Sequence, residues 1–251
     1  MGYQTVFRRV ELKYLLTEGQ RANVLRAMEP YMERDAYGRT VIRNLYFDTE
    51  QYRMIRRSIE KPTYKEKLRL RSYALAEEDS TVFVELKKKY DHVVYKRRMA
   101  MTERQAMGWL CGGQASPTDS QIAREIDYVT RFYGDLRPTV FLSYAREAYF
   151  CRDGGTFRVT FDDEILCRRD GLSLTLPPGG EPILASGMYL MELKCVGGIP
   201  LWMTRALSEQ GLYKTSFSKY GTAYERLILP ELLHEKNIRN TKKDEENFYV
   251  G

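Results

Sequence analysis

The stretch KLRLRSY, residues 67–73, places Lys67, Arg69 and Arg71 at every second position with Leu68 and Leu70 between them. In an extended strand successive side chains point to opposite faces, so the three cations share one face and the leucines the other. Six further segments repeat the pattern, making seven: Glu11 and Lys13; Glu85, Lys87 and Lys89; Lys96 and Arg98; Tyr144 and Arg146; Arg158, Thr160 and Asp162; Glu192 and Lys194. Together these faces carry eleven cations against four carboxylates, leaving out Arg9 one turn of the pleat before Glu11. Water alone accounts for any one such face. An ordinary solvated sheet mixes signs, because like charges opposite each other repel, so the recurrent excess implies an anion.

Phosphate is the anion these residue types suit. Planar guanidinium forks bind its oxygens two at a time, and ammonium groups add point charge. Carboxylates within a cationic face suit a divalent metal that bridges phosphate oxygens; Glu192, flanked by Leu190 and Lys194, is one candidate ligand and Glu11 another. The plainer alternative is that each glutamate neutralises a neighbouring lysine. In SFSKYG, Ser218 and Lys219 open the last predicted helix, where they either cap it beside a solvated lysine or set Lys219 and helix N–H groups at an anion site.

Other chemistries lack residues. There is no GxxxxGK[ST] phosphate loop, and the two histidines, His92 and His234, fall on a predicted turn and an exposed helix. Cys111, Cys151, Cys167 and Cys195 are too scattered for a zinc site and are expected to be reduced thiols. Nineteen tyrosines and a net charge of +6 invite nucleic acid, but Tyr14, Tyr46 and Tyr64 lie among apolar strand residues where packing explains them, so nucleic acid is not expected.

The elements that must position these faces alternate between two periods. Strands are predicted at 5–15, 40–49, 64–73, 81–90, 93–101, 138–151, 157–168 and 188–196, with a Gly/Pro-rich loop at 177–187. Helices are predicted at 18–32 after Thr17, at 49–59 capped by Thr49, at 102–110 and 117–134, from Pro200 to Gln210, and from Ser218 to about Asn237 across Pro230. The strand faces opposite the cations are apolar, and the helices supply apolar stripes to cover them. An α+β fold follows, in which a sheet with helices packed outside closes into an antiparallel β-barrel around an anion. With 251 residues, 43% hydrophobic, and no repeat or linker, the chain is expected to be a single domain, 1–251, with its core at about 5–230 and a tail at about 238–251. The N-terminus has no apolar run before its charges and no stretch is long enough for a membrane span, so a cytoplasmic protein is expected.

VELKY, LYFDT, KLRLRSY, FVELKKK, YKRRM, SYARE, RVTFD, MELK and SFSKYG occur in the order seen in the vacuolar transporter chaperone (VTC) domain, and over residues 5–230 the chain resembles that polyphosphate polymerase branch of the triphosphate tunnel metalloenzymes. The resemblance implies a basic tunnel in which the γ-phosphate of metal-bound ATP passes to a growing polyphosphate chain. It implies catalytic roles for Arg69, Arg71 and Lys219. Lys13, Lys87, Lys96, Arg98, Tyr144, Arg146, Arg158, Lys194 and Ser218 would bind phosphate or nucleotide, and Glu192 and Glu11 would hold Mn2+ or Mg2+. Expected partners are ATP and inorganic polyphosphate or pyrophosphate. The triphosphatase and adenylate cyclase branches of the superfamily carry ExExK in the first strand, where this chain has Arg9, Glu11 and Lys13; the lost glutamate leans toward the polymerase branch. The alternatives are a tripolyphosphatase or NTP triphosphatase in the same tunnel, or a noncatalytic polyphosphate-binding subunit. Eukaryotic relatives add a phosphate-sensing SPX domain and a membrane region; without them, a separate membrane protein is expected to hold this chain at the inner membrane face.

Overall fold

The structure, a computed structural model, describes residues 10–91 and 93–234. The predicted start of the first strand at 5–9 with Arg9, the turn residue His92 and the tail at 238–251 lie outside the described residues. The chain runs β1 (Val10–Thr17), α1 (Glu18–Met28), β2 (Met32–Asp48), α2 (Arg53–Ile59), β3 (Tyr64–Ser72), β4 (Thr81–Tyr90) and β5 (Val93–Thr102). It continues α3 (Glu103–Leu110), α4 (Gln121–Tyr133), β6 (Arg137–Cys151), β7 (Arg158–Arg168), β8 (Glu181–Pro182), β9 (Met188–Cys195), α5 (Leu201–Glu209), β10 (Lys214–Thr215) and α6 (Lys219–Ala223), with a π turn at Tyr224–Ile228.

Local chemistry sets these boundaries. Thr17 and Thr102 each form a capping box, accepting from the backbone of Gln20 and Gln105 while those glutamines accept in return. The helix expected from Thr49 starts later. Thr49 still contributes to the cap, its hydroxyl accepting from Arg53 N–H at 3.0 Å, and Asp48 at the end of the preceding strand adds to it by accepting from the backbone N–H groups of Met54 and Ile55 at 2.8 and 2.9 Å. That strand is also longer than expected: a bulge between Arg34 and Arg39, turned by Gly38 at φ 63°, joins a polar segment from Met32 onward. The loop at 177–187 contributes the two-residue β8.

The strands form one antiparallel sheet in the order β10-β1-β9-β7-β6-β2-β3-β4-β5, with β8 on β7. The tunnel-like α+β fold expected from the alternation is present, but its wall is a curled sheet rather than a hydrogen-bonded barrel. Among the described residues β5 pairs only with β4, and side chains bridge the gap: Lys87 of β4 reaches Glu11 of β1 at 2.8 Å. The outward faces carry the cores. Leu68, Leu70, Val84 and Leu86 pack under α3 and α4, while Leu16, Phe161, Met191 and Leu193 pack under α1 and α5.

The last helix departs from the expected outer layer. Tyr220, Ala223, Tyr224 and Ile228 pack against the inward-facing Tyr46, Leu142, Tyr144 and Leu190, filling part of the curl from within. The strands can accept it because their inward residues change from charged to apolar along their length, as from Lys194 and Glu192 to Leu190 on β9. No described helix is long and apolar enough to cross a membrane.

Candidate functional site

Antiparallel register brings the cationic faces of the seven segments onto the concave side of the curl. Two carboxylate-centred networks organise them. In the first, Glu85, 1% exposed at its side chain, holds Arg69 at 2.7 Å, Lys96 at 2.7 Å, Arg98 at 2.8 Å and Arg71 at 3.7 Å. Burial raises its pKa, but Arg69, Arg71, Lys96 and Arg98 outweigh that and hold it well below the usual carboxylate range. Tyr46 and Asn44 of β2 add contacts to Arg69 Nη1 at 3.0 Å and Arg71 Nε at 2.9 Å. Arg98 also lies over the Phe83 ring at 4.0 Å.

The second network crosses β6, β7, β9 and α6. Asp162, fully buried, receives Arg146 through a two-pronged bond at 2.5 and 2.6 Å and is also bound by Lys219. Glu192 lies 3.4 Å from Arg146 and Lys194, 3.5 Å from Lys13 and 3.7 Å from Lys219. Burial raises the Glu192 pKa, yet Lys219, Lys194, Lys13 and Arg146 keep it well below its ordinary value. Lys219 therefore faces carboxylates within the curl rather than open solvent. Its neighbour Ser218 caps α6, accepting from Gly221 N–H at 3.3 Å, and receives Lys67 Nζ at 3.0 Å.

Tyr144 links the networks. Its hydroxyl accepts from Arg71 at 3.2 Å, and Arg146 and Lys219 lie 5.1 and 4.4 Å from its ring centroid. Burial raises its pKa, but Arg71, Arg146 and Lys219 together bring the phenol down to about 8. Lys87 pairs with Glu11, and Arg158 lies exposed on the same sheet face with its guanidinium 4.4 Å from the Phe150 ring centroid. The structure thus brings all the predicted phosphate-binding positions onto one surface, with Arg158 the most peripheral.

Residues outside the predicted set are also part of it, among them Asn44, which accepts from Arg71, and Glu85, Asp162 and Tyr46. Glu85 and Asp162 were visible on the alternating faces, but nothing in their spacing distinguished network centres from ordinary countercharges. Tyr46, expected in the apolar core, packs against Tyr220 and turns its hydroxyl to Arg69, because the inward face of β2 is shared between the apolar plug and the cations.

The two candidate metal ligands lie on adjacent strands, Glu11 opposite Lys194 and Glu192 opposite Lys13. Burial raises the Glu11 pKa, but Lys87 leads the opposing effects and brings it down to about 2, so both glutamates are ionised near neutrality. Thr160, opposite Glu192 on β7, has a buried hydroxyl with no hydrogen-bond partner among the described residues. No group of three or more His, Cys, Asp or Glu that could hold a metal by itself occurs among the described residues. This donor set fits Mg2+ or Mn2+ held by one or two carboxylates together with substrate oxygens, and does not fit an all-protein cage.

Comparison with known proteins bears on the whole chain. The model of a family described as VTC domain matches residues 8–228. The structure is similar to one from Bacillus halodurans provisionally described as an adenylate cyclase, with 12% identity and a TM-score of 0.53 over 88% of this chain and 100% of that one. It is also similar to a protein from Hippeastrum, provisionally named an adenylyl cyclase and described as having a dominant triphosphatase activity, with 15% identity and a TM-score of 0.50 over 84% of this chain and 93% of that one. At these identities the likeness is one of fold. No curated protein matches the chain.

Proposed function

Since the chain belongs to the VTC domain family, we propose that it is a polyphosphate polymerase, transferring the γ-phosphate of ATP to the end of an inorganic polyphosphate chain within the basic curl. The observation that carries this reading is the convergence of Arg69, Arg71, Lys96, Arg98, Arg146 and Lys219 on only three carboxylates, Glu85, Asp162 and Glu192. The cations are held in fixed positions but not neutralised. An extended polyanion supplies the missing charge.

In the proposed reaction a terminal phosphate oxygen of the chain attacks the γ-phosphorus, the bond from that phosphorus to the β–γ bridging oxygen breaks, and ADP departs. Phosphoryl transfer spreads charge over the equatorial oxygens, so prepositioned donors stabilise the transition state without a covalent enzyme intermediate. Arg69 and Arg71, whose forks are oriented by Glu85, Tyr46 and Asn44, would supply that stabilisation with Lys219. Lys13, Lys87, Lys96, Arg98, Tyr144, Arg146, Arg158, Lys194 and Ser218 would align the phosphates. Glu192 and Glu11 would hold a divalent cation together with substrate oxygens, and that cation would supply positive charge against the charge that develops on the departing ADP. The acceptor is already anionic, so no histidine base is needed.

The same proposal treats residues 1–251 as one domain and places it at the cytoplasmic face of a membrane through a separate membrane protein. A second reading, triphosphate hydrolysis with water as acceptor, is favoured by the neighbouring Glu11 and Glu192, which give the site two ionised carboxylates. Incubation with ATP and Mn2+, with and without a short polyphosphate primer, separates the readings on a gel stained for polyphosphate. A ladder of lengthening chains supports the polymerase. Phosphate release without chains moves the protein to the hydrolases, and binding without turnover makes it an accessory subunit.

A further inference from the structure

Lys67 opens the sequence's most regular cationic row, yet the proposed reaction assigns it no part. Lys13, Lys87, Lys96, Lys194 and Lys219 each reach a carboxylate, whereas Lys67 reaches none among the described residues. The residue is half-buried, and its ammonium donates to Ser218 Oγ at 3.0 Å and lies 5.9 Å from the Tyr220 ring centroid. The register sets it directly opposite Lys87, which is itself opposite Lys96, with Lys65 opposite Lys89 one pleat away.

Like charges directly opposed across strands destabilise a sheet. The charged groups that act most strongly on Lys67 are Lys13 on β1, Lys87 on β4, and Lys65 and Arg69 on its own strand; Glu11 is taken up by Lys87, and at the start of α6 Ser218 offers its hydroxyl and Tyr220 its ring, while Lys219 is paired with Asp162 and Glu192. Burial first, then Lys13, Lys87, Lys65 and Arg69, bring its pKa down to about 7. Shedding the proton relieves the repulsion until an anion arrives.

We propose that Lys67 is a further phosphate-binding residue that loads by protonation: a phosphate unit seats against Lys67, Lys13 and Lys87, and Lys67 takes up one proton from solvent as it binds. The Nζ lone pair gains the proton, and the resulting ammonium pairs with a phosphate oxygen. This rests on the polyphosphate reading above and adds a proton linkage to it. Above pH 7 the free lysine is mostly neutral and the bound one charged, so binding consumes a proton; near pH 6 it is already charged and consumes almost none.

The test is titration calorimetry with long-chain polyphosphate, whose internal phosphates do not titrate in this range, at pH 6 and pH 8 in pairs of buffers differing in ionisation enthalpy. Lys96, also brought down to about 7, titrates in the same window, so the readout is the difference between wild type and Lys67→Arg. At pH 8 the wild type is expected to take up about one proton more than Lys67→Arg, which binds with comparable affinity, and at pH 6 the two converge. Lys67→Met, with a melting temperature measured as a folding control, is expected to bind at least about tenfold more weakly. Equal proton counts for wild type and Lys67→Arg at pH 8 overturn the Lys67 proposal alone. Failure of the wild type to bind polyphosphate at either pH overturns it together with the polymerase reading.

Discussion

Glu85 meets four cations with one carboxylate, and each pairing also fixes a guanidinium or ammonium where a phosphate would need it. Preorganised charge of this kind costs no reorganisation when the transition state forms. Arg69→Ala and Arg71→Ala are each expected to lower turnover by at least about tenfold, since one lost donor costs a few kcal/mol. Full activity in both would remove the transfer site from this surface. Glu192→Gln keeps the shape and removes the charge, so the metal concentration for half-maximal activity should rise; an unchanged titration rejects Glu192 as a ligand. Tyr144 is expected to titrate near pH 8, seen as absorbance at the phenolate band that is present in the wild type and missing in Tyr144→Phe. The sign follows from its neighbours: Arg71, Arg146 and Lys219 favour the phenolate, so their effect must exceed that of burial.

At the scale of elements, the joint between β2, α2 and α6 decides how the plug is held. Asp48 is fully buried and accepts from Thr49, Met54 and Ile55 N–H groups and from the Tyr220 hydroxyl at 3.0 Å. One carboxylate therefore ends a strand, starts a helix and anchors the interior helix. Tyr220→Phe removes the hydroxyl from Asp48 and Thr139 and leaves the ring in place against Tyr46. It should cost about 1–3 kcal/mol in urea unfolding, the range for leaving a buried hydrogen-bonding group without its partner. A change below about 0.5 kcal/mol would mean that apolar packing alone holds α6. The π turn follows α6 directly, and its residues Tyr224 and Ile228 remain in the same apolar cluster, so the irregular turn keeps one face on the plug across the junction.

For the molecule as a whole, the repulsion on the concave surface is opposed by apolar packing: two clusters cover the outside of the sheet and a third fills part of the inside. Anything that neutralises the concave face and binds only the folded chain adds to stability. Polyphosphate at about a hundred times its dissociation constant should contribute about 2.7 kcal/mol, or a rise of about 5–10 °C in melting temperature for a chain of this size. The rise should shrink in high salt, and in Arg69→Ala. An equal rise in that variant would place the polyanion elsewhere on the basic surface.

Much of this was legible in the sequence because a strand's period is two. Once KLRLRSY is extended, Lys67, Arg69 and Arg71 must share a face, and the same holds for Glu85 with Lys87 and for Glu192 with Lys194. The charge excess, the predicted strands and the order of motifs are likewise properties of the chain read in one dimension. Which cation meets which carboxylate was not, because it depends on register and curl between strands far apart in sequence. Asp162 became the buried partner of Arg146 and Lys219 only when β6, β7 and α6 converged. The interior position of α6 was hidden for a similar reason: an apolar helix stripe looks the same whether it covers a sheet or fills one. Lys67 completes the contrast, since its charge was written in the sequence while its lack of a carboxylate among the described residues was decided by which strands lie across from it.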